Sequence, residues 1–243
     1  MYNVMDGAPG ENVVSGIVTS HILDYVKLRQ PEQDLWMNLS AQWSNAFPLR
    51  TRGTMEYPIA APATDASIGY NAKKLPNTVN AKKHLQEICT PVKSEHQLVF
   101  PVVTIEAKGR QSKLEAQYQN QNDSAVMLRN LRTLREQAGM SAADLKTRFD
   151  NIAHVVTIIF TKSNMVISCC WSAMADDGVL EFFSKPVVIV DTDEGLKQFH
   201  TMTRNVQNPF DWATNACRDW IKKDLEKLES WRLGWLRWIP PHL

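Results

Sequence analysis

The chain has 243 residues, of which 44% are hydrophobic and 22% charged, a composition typical of globular proteins. Its 27 Lys and Arg against 26 Asp and Glu leave a formal charge of +1, so any nucleic-acid site must come from local patches. The four cysteines form no C-x-x-C pair, which excludes a zinc ribbon and a disulfide-framed scaffold. With no recognisable signal peptide or bilayer-length apolar stretch, we expect an intracellular protein, nuclear or cytoplasmic, without a membrane partner.

The glycines and histidines exclude several common kinds of enzyme. No two glycines are spaced as G-x-G, so the dinucleotide-binding fingerprint and the phosphate-binding P-loop are both missing. No serine lies in a G-x-S-x-G elbow, and the six histidines include no H-E-x-x-H pair. Any chemistry is therefore expected from carboxylates and lysines.

The first half of the chain is predicted to begin with helices and continue with short strands. Apolar residues at helical spacing predict one helix over residues 12–29. A second helix is predicted after Pro31 to about residue 46, with Leu35, Trp36, Leu39 and Trp43 facing inward. Strands are predicted over 50–60 and 63–70, followed by a lysine-rich loop over 71–93.

The second half alternates strands and helices. The predicted elements are a strand over 98–109, a helix over 112–138, strands over 154–161 and 165–171, and one strand or a hairpin over 179–191. Pro101 indicates an edge position or an irregular entry for the first of these strands. Asn208-Pro209 has the form of a helix start. We expect one α/β domain over residues 1–243, with a C-terminal helical part at about 194–239.

Three charged residues form the constellation most relevant to chemistry. Glu106 and Lys108 end a predicted buried strand, and because strand side chains alternate, both point to one face. A surface ion pair would explain these two residues alone. Asp65, at the start of a separate predicted strand, adds a second carboxylate. Two acids on adjacent strands beside a lysine favour a Mg²⁺ site, since Mg²⁺ takes one or two carboxylates plus water and phosphate oxygens.

The same residues resemble the PD-(D/E)XK nuclease superfamily. Pro62 and Asp65 match its first acidic motif, and VTIEAK over residues 103–108 matches a V-x-I-E-x-K strand. The glutamine-rich helix that follows resembles the PD-(D/E)XK nuclease-like domains abundant in fungi. The motif-bearing part covers about residues 55–135. The resemblance implies a restriction-endonuclease-like core, a mixed central sheet flanked by helices.

It also implies roles for particular residues. Asp65, Glu106 and the backbone carbonyl of Ala107 would hold Mg²⁺ or Mn²⁺, Lys108 would position the attacking water, and Gln121 would orient water or the scissile phosphate. Many members add an acid from the first core helix. Glu32 and Asp34 are the candidates here, with Glu11 as an alternative, because Gln33 stands where the family pattern has its acid.

Two surfaces are candidates for partner binding. Basic side chains that would neutralise DNA phosphates are Lys73, Lys74, Lys82, Lys83, Arg129, Arg132 and Arg135. A solvated charged surface is the alternative reading of the same residues. Three tryptophans near helical spacing at the C-terminus, Trp231, Trp235 and Trp238, indicate core packing or, alternatively, a base-stacking or oligomer surface.

Three functions from different classes are consistent with these patterns. The first is a metal-dependent nuclease that hydrolyses phosphodiester bonds in DNA. The second is a catalytically silent nuclease-like fold that binds nucleic acid or protein. The third is a structural domain in which Glu106 and Lys108 are only an ion pair, and it predicts that Asp65 lies far from both.

Overall fold

A computed structural model describes residues 35–43, 63–75, 98–108, 113–161, 164–191 and 196–237. The strands in these ranges are β1 (Leu35–Gln42), β2 (Ala63–Asn71), β3 (Leu98–Lys108), β4 (Val155–Thr161), β5 (Asn164–Met174) and β6 (Leu180–Asp191). The helices are α1 (Lys113–Gln137), α2 (Ala142–Arg148), α3 (Leu196–Trp212) and α4 (Arg218–Arg237), with a π-helical segment (Ala213–Cys217) joining the last two.

The six strands form one mixed sheet in the order β1-β2-β3-β4-β5-β6. Neighbouring strands are antiparallel except β3 and β4, which are parallel. A parallel pair needs a long crossover connection, and α1 and α2 provide it between β3 and β4. The predicted α/β class, with a mixed central sheet flanked by helices, is confirmed.

Strand β3 lies at the centre of the sheet and is buried along its whole length. Its apolar run suits a strand covered on both faces and paired on both sides. Its entry is irregular, as Pro101 predicts: Phe100 has φ 45°, and the β2–β3 register shifts between Ile68 and Tyr70. Gly69 lies at this shift because a Cβ there would be 2.7 Å from the Val99 carbonyl oxygen. The parallel pairing with β4 begins only at Val103.

Helix α1 covers one face of the sheet, packing chiefly on β3 and β4. Ala116 of α1 forms a small apolar cluster with Ile159 and Val166. Thr104 of β3 donates a hydrogen bond, 3.5 Å long, to the side chain of Asn120 on the helix. Because side chains alternate along a strand, Glu106 lies on this same face.

The opposite face carries α3 and the π-helical segment. Tyr70 of β2 donates its hydroxyl hydrogen to the Ala213 carbonyl oxygen at 2.7 Å. An apolar cavity of about 280 Å³ separates α3 from the outer strands, with Val156 and Val188 on one side and Trp212 on the other. No helix in the described ranges is long and apolar enough to span a bilayer.

The helix predicted after Pro31 is wrong where the structure describes it. Residues 35–42 form β1, which pairs with β2 through contacts such as Leu35 opposite Tyr70. Leu39 is 42% exposed rather than inward, while Trp43 is fully buried as predicted. The apolar spacing of this segment fits both periods, and pairing with a neighbouring strand decides between them.

The helix start predicted at Asn208-Pro209 is also wrong. Pro209 lies inside α3, which begins at Leu196. Proline has no N–H for the helical bond to the carbonyl four residues earlier, and the chain passes into the π-helical segment four residues later. The sequence analysis also missed α2. Its N-cap was readable, because Ser141 accepts a hydrogen bond from the Asp144 backbone N–H.

The other elements agree with the predictions to within a few residues. Strands β2 to β6 and helix α1 occupy the predicted segments, and 180–191 is one strand rather than a hairpin. The predicted helix over 12–29 and the predicted strand over 50–60 lie outside the described residues.

Candidate functional site

The strand register brings the two predicted acids side by side. Ala66 pairs with Ile105, and continuing the antiparallel register by one pair places Asp65 opposite Glu106. The Asp65 carboxylate accepts a hydrogen bond from the Ala107 backbone N–H at 2.6 Å. The reading in which Glu106 and Lys108 are an isolated ion pair required Asp65 to lie far away, so this geometry contradicts it.

Glu106 and Lys108 form an ion pair inside the protein. The Lys108 Nζ lies 3.2 Å from the Glu106 Oε2. Glu106 is fully buried and Lys108 is only 5% exposed, although both end a strand. Neither Glu106 carboxylate oxygen has a well-aligned hydrogen-bond donor. A buried charge without such donors is costly, so this pair differs from a surface ion pair.

Burial changes the protonation of Glu106. Removal from water raises the pKa of Glu106 to about 7, and the nearby negative charge of Asp65 adds to this effect. The positive charge of Lys108 acts in the opposite direction but does not cancel it. Near neutral pH the Glu106 carboxyl group is therefore partly protonated, and a bound cation would compete with that proton.

Helix α1 adds two buried polar residues that the sequence analysis missed. Asp123 is 1% exposed and Asn120 is 3% exposed, and each has a buried polar atom without a hydrogen-bond partner, Oδ2 and Nδ2 respectively. Burial raises the pKa of Asp123, and repulsion from Glu106 and Asp65 raises it further, while Lys108 lowers it. These electrostatic effects place Asp123 near Asp65, Glu106 and Lys108, which together are called the acid cluster.

Gln121 does not join the cluster. Its side chain is exposed, one position further round the helix than Asn120. The helical stripe that faces the sheet consists of Ala116, Asn120, Asp123 and Met127, which are spaced four, three and four apart. Polar residues on an otherwise apolar stripe were therefore the signal for Asn120 and Asp123.

The predicted phosphate-binding residues lie in different environments. Lys73 and Lys74 are exposed in the turn after β2, whose end lies about 20 Å along that strand from Asp65. Arg132 is buried and paired with Asp150 and Glu136, so it is held inside the protein and not presented to a phosphate.

Two further arginines on α1 are partly covered. Arg129 is half-buried, and burial lowers its pKa. Arg135 packs its guanidinium 4.0 Å from the centre of the Trp220 ring and lies 3.7 Å from Asp224. This second residue links α1 to α4 rather than facing a ligand.

Several predicted residues lie outside the described part of the chain. These are Glu11, Glu32, Asp34, Lys82, Lys83 and Trp238. Trp231 and Trp235 lie within α4, but their side chains are also outside the described part of the chain.

The donor set of the cluster fits a hard divalent cation. Among the described residues, no three acidic, His or Cys side chains are grouped closely enough to ligate one ion by themselves. Asp65 and Glu106 are adjacent, however, and Mg²⁺ uses one or two carboxylates with water and phosphate oxygens completing its shell. The buried Glu106 oxygens without aligned donors offer acceptors of the required kind.

The backbone of Ala107 faces the same place. In a β-strand the N–H and C=O of one residue point to the same neighbouring strand. Because the Ala107 N–H points to Asp65, its carbonyl oxygen is directed to that side as well. The carbonyl is thus a possible third oxygen ligand beside the two carboxylates.

Residues 11–225 match a family described as Domain of unknown function (DUF7924). The chain belongs to this family. The DUF7924 match includes all six strands, the acid cluster of Asp65, Glu106 and Lys108, and Asn120 and Asp123 of α1. No curated protein and no solved structure matches the chain.

Proposed function

We propose that this DUF7924 protein is a metal-dependent nuclease that hydrolyses phosphodiester bonds in DNA, with a PD-(D/E)XK type of site. The observation that carries the proposal is the meeting of Asp65, Glu106 and Lys108 at one end of β2 and β3. Two acids and an ammonium on adjacent strands are the groups that metal-assisted phosphodiester hydrolysis requires.

Each residue has a separate role in the proposed reaction. Asp65, Glu106 and the Ala107 carbonyl hold Mg²⁺ or Mn²⁺, which when bound supplies charge stabilisation at phosphorus and acidifies water. Lys108 orients the attacking water and favours its deprotonated form through its positive charge. The hydrogen bond from the Ala107 N–H holds Asp65 against the end of β3.

The complete burial of Glu106 favours one alternative, a nuclease-like fold that binds nucleic acid without cutting it. Lys108 already neutralises one charge of the cluster, and a substrate phosphate has no open path to a fully covered carboxylate. Under the nuclease proposal, DNA and metal must therefore displace part of what covers Glu106. A DNA cleavage assay separates the two functions, because only the nuclease cuts the DNA.

The test is cleavage of supercoiled and linear DNA by the purified protein with Mg²⁺ or Mn²⁺. We expect cleavage that EDTA abolishes, and binding with little cleavage in Ca²⁺, whose looser coordination is a poor substitute for Mg²⁺ geometry. DNA binding without cleavage in any divalent ion would establish the silent alternative in place of the nuclease.

Two variants test whether the cleavage comes from this protein or from a contaminating nuclease. Glu106→Gln keeps the shape of the side chain, removes its charge, and is expected to lose cation binding and cleavage together. Asp176→Asn makes the same chemical change in the exposed β5–β6 turn and is expected to cut like the wild type. Equal cleavage by wild type and Glu106→Gln would assign the activity to a contaminant.

A further inference from the structure

We propose that Asp123 of α1 is a third acidic residue of the cation site, a positioning residue that binds the ion through a metal-bound water. This inference rests on the proposed metal site and assigns its helix side. The role differs from the one predicted for Gln121, which was to orient water or the scissile phosphate from the same helix.

The burial of Asp123 calls for an explanation. The side chain is 1% exposed, and its Oδ2 has no hydrogen-bond partner in the described chain. A buried carboxylate oxygen without a donor is unfavourable, and an apolar residue would complete the stripe formed by Ala116 and Met127. The position makes physical sense if a bound group supplies the missing donor.

The charges around Asp123 indicate what that group is. Asp123 lies one helical turn after Asn120, whose side chain accepts a hydrogen bond from Thr104 of β3, two residues before Glu106 on the same face of the sheet. Asp65, Glu106 and Asp123 together carry one carboxylate more than the two that flank the single ammonium of Lys108. In the metal-free protein protons can balance these carboxylates, and one divalent cation can take the place of two protons.

The geometry favours contact through water rather than direct ligation. No three carboxylates are grouped closely enough among the described residues to ligate one ion directly. Mg²⁺ keeps several water ligands in protein sites, and such waters donate hydrogen bonds to nearby carboxylates. Asn120, one helical turn away with a free Nδ2 donor, is placed to orient the same water.

The test measures cation binding and not cleavage. The dissociation constants of Mg²⁺ and Mn²⁺ are determined by calorimetry for wild type, Asp123→Asn, Asp123→Ala and the exposed control Asp176→Asn. We expect both Asp123 variants to bind at least tenfold more weakly, the usual effect of removing a carboxylate that hydrogen-bonds a metal ligand. The control is expected to bind like the wild type.

A second readout separates this role from a purely structural one. In EDTA, Asp123→Asn is expected to melt no lower than the wild type, because the amide keeps the shape of the side chain and carries no charge. A lower melting temperature in EDTA with unchanged cation affinity would overturn the inference and make Asp123 structural. If the wild type itself binds no divalent cation, the proposed nuclease fails, whereas equal binding by wild type and both variants refutes only Asp123.

Discussion

At the scale of single residues, the contribution of Glu106 to stability depends on Lys108, and that of Lys108 on Glu106, because both side chains are buried. Their 3.2 Å contact replaces the water that each group would have at a surface. Removing one partner of such a pair leaves an uncompensated charge, while removing both leaves none. The pair is therefore open to direct measurement in the metal-free protein.

We expect Lys108→Met to lower the free energy of unfolding by about 3 kcal/mol at pH 8, the scale for breaking a buried ion pair. The loss should be smaller at pH 5.5, because the Glu106 carboxyl then takes up a proton and no unpaired charge remains. Urea unfolding in EDTA at both pH values measures this. The double variant Glu106→Gln, Lys108→Met is the control and should recover much of the lost stability. A loss independent of pH would contradict the coupling.

A second residue-scale prediction concerns the pH dependence of stability. Burial lowers the pKa of His154 to about 4, and the positive charge of Arg135 adds to the effect. The unfolded chain binds a proton at His154 between pH 4 and 6.5 while the folded protein does not, so stability rises with pH there. Glu106 acts oppositely, since the folded protein holds its proton from pH 4.5 to about 7 and stability falls.

The two opposing slopes can be separated by substitution. In metal-free protein, Glu106→Gln is expected to show stability that rises more steeply between pH 4.5 and 6.5 than in the wild type. His154→Phe, which keeps a ring stacked on Phe149, is expected to show stability that falls through the same range. Urea unfolding at half-unit pH steps measures both slopes. Parallel curves for the two variants would refute the pKa assignments.

At the scale of elements, the junction of β2 and β3 decides which residues meet at the site. The register shift near Gly69 sets the pairing that continues to Ala66 and Ile105, and so places Asp65 opposite Glu106. The backbone of β3 approaches Gly69 so closely that no side chain fits there. This glycine, four residues after Asp65 in β2, therefore contributes to the alignment of the two acids.

Gly69→Ala is expected to destabilise the protein by about 3 kcal/mol, because its Cβ would clash with backbone atoms that cannot move aside independently. Gly178→Ala is the matched control. Gly178 has φ 78° but open space around it, so only backbone strain of about 1 kcal/mol is expected. Thermal and urea unfolding measure both. Equal losses would show that β2 can shift away from β3 at this point.

Helix α1 is the second element that builds the site. Its C-terminal half is fixed by buried leucines and by Arg132, which pairs with Asp150 after α2. Arg135 connects the same half to Trp220 and Asp224 of α4. Its N-terminal half carries Asn120 and Asp123 on the face of the sheet that holds Glu106. Packing of the C-terminal half therefore helps to fix the position of these two side chains.

At the scale of the whole molecule, the charge pattern limits how DNA could bind. The net charge is +1, and Arg132 and Arg135 are occupied by internal contacts. The exposed lysines in the turn after β2, Lys73 and Lys74, lie about 20 Å from Asp65 along that strand. DNA that reaches both places must extend over about 6 base pairs at 3.4 Å each.

We expect Lys73→Ala, Lys74→Ala to weaken binding of a 20-base-pair duplex similarly for unrelated sequences. The slope of log affinity against log salt should fall by about 2, as expected for two lost phosphate contacts. Fluorescence anisotropy in Ca²⁺ measures this. The exposed pair Lys146→Ala, Lys185→Ala is the control, and equal effects would exclude a local footprint.

The sequence by itself determined the central strands, α1 and the common face of Glu106 and Lys108, whereas the register of β2 on β3 brings Asp65 to them. These predictions depend on local periodicity and on alternation along a strand, which short segments of sequence carry. The structure confirms the α/β class and brings the three charged residues together. The nuclease activity itself stays a prediction.

Only the tertiary structure decided the rest. Residues 35–42 form a strand because β2 offers an edge for pairing, and Pro209 lies inside a helix because α3 packs as one unit. Asp123 is buried and Gln121 is exposed because α1 packs one face on β3 and β4. Such outcomes depend on contacts between segments far apart in the chain, and local sequence patterns do not contain that information.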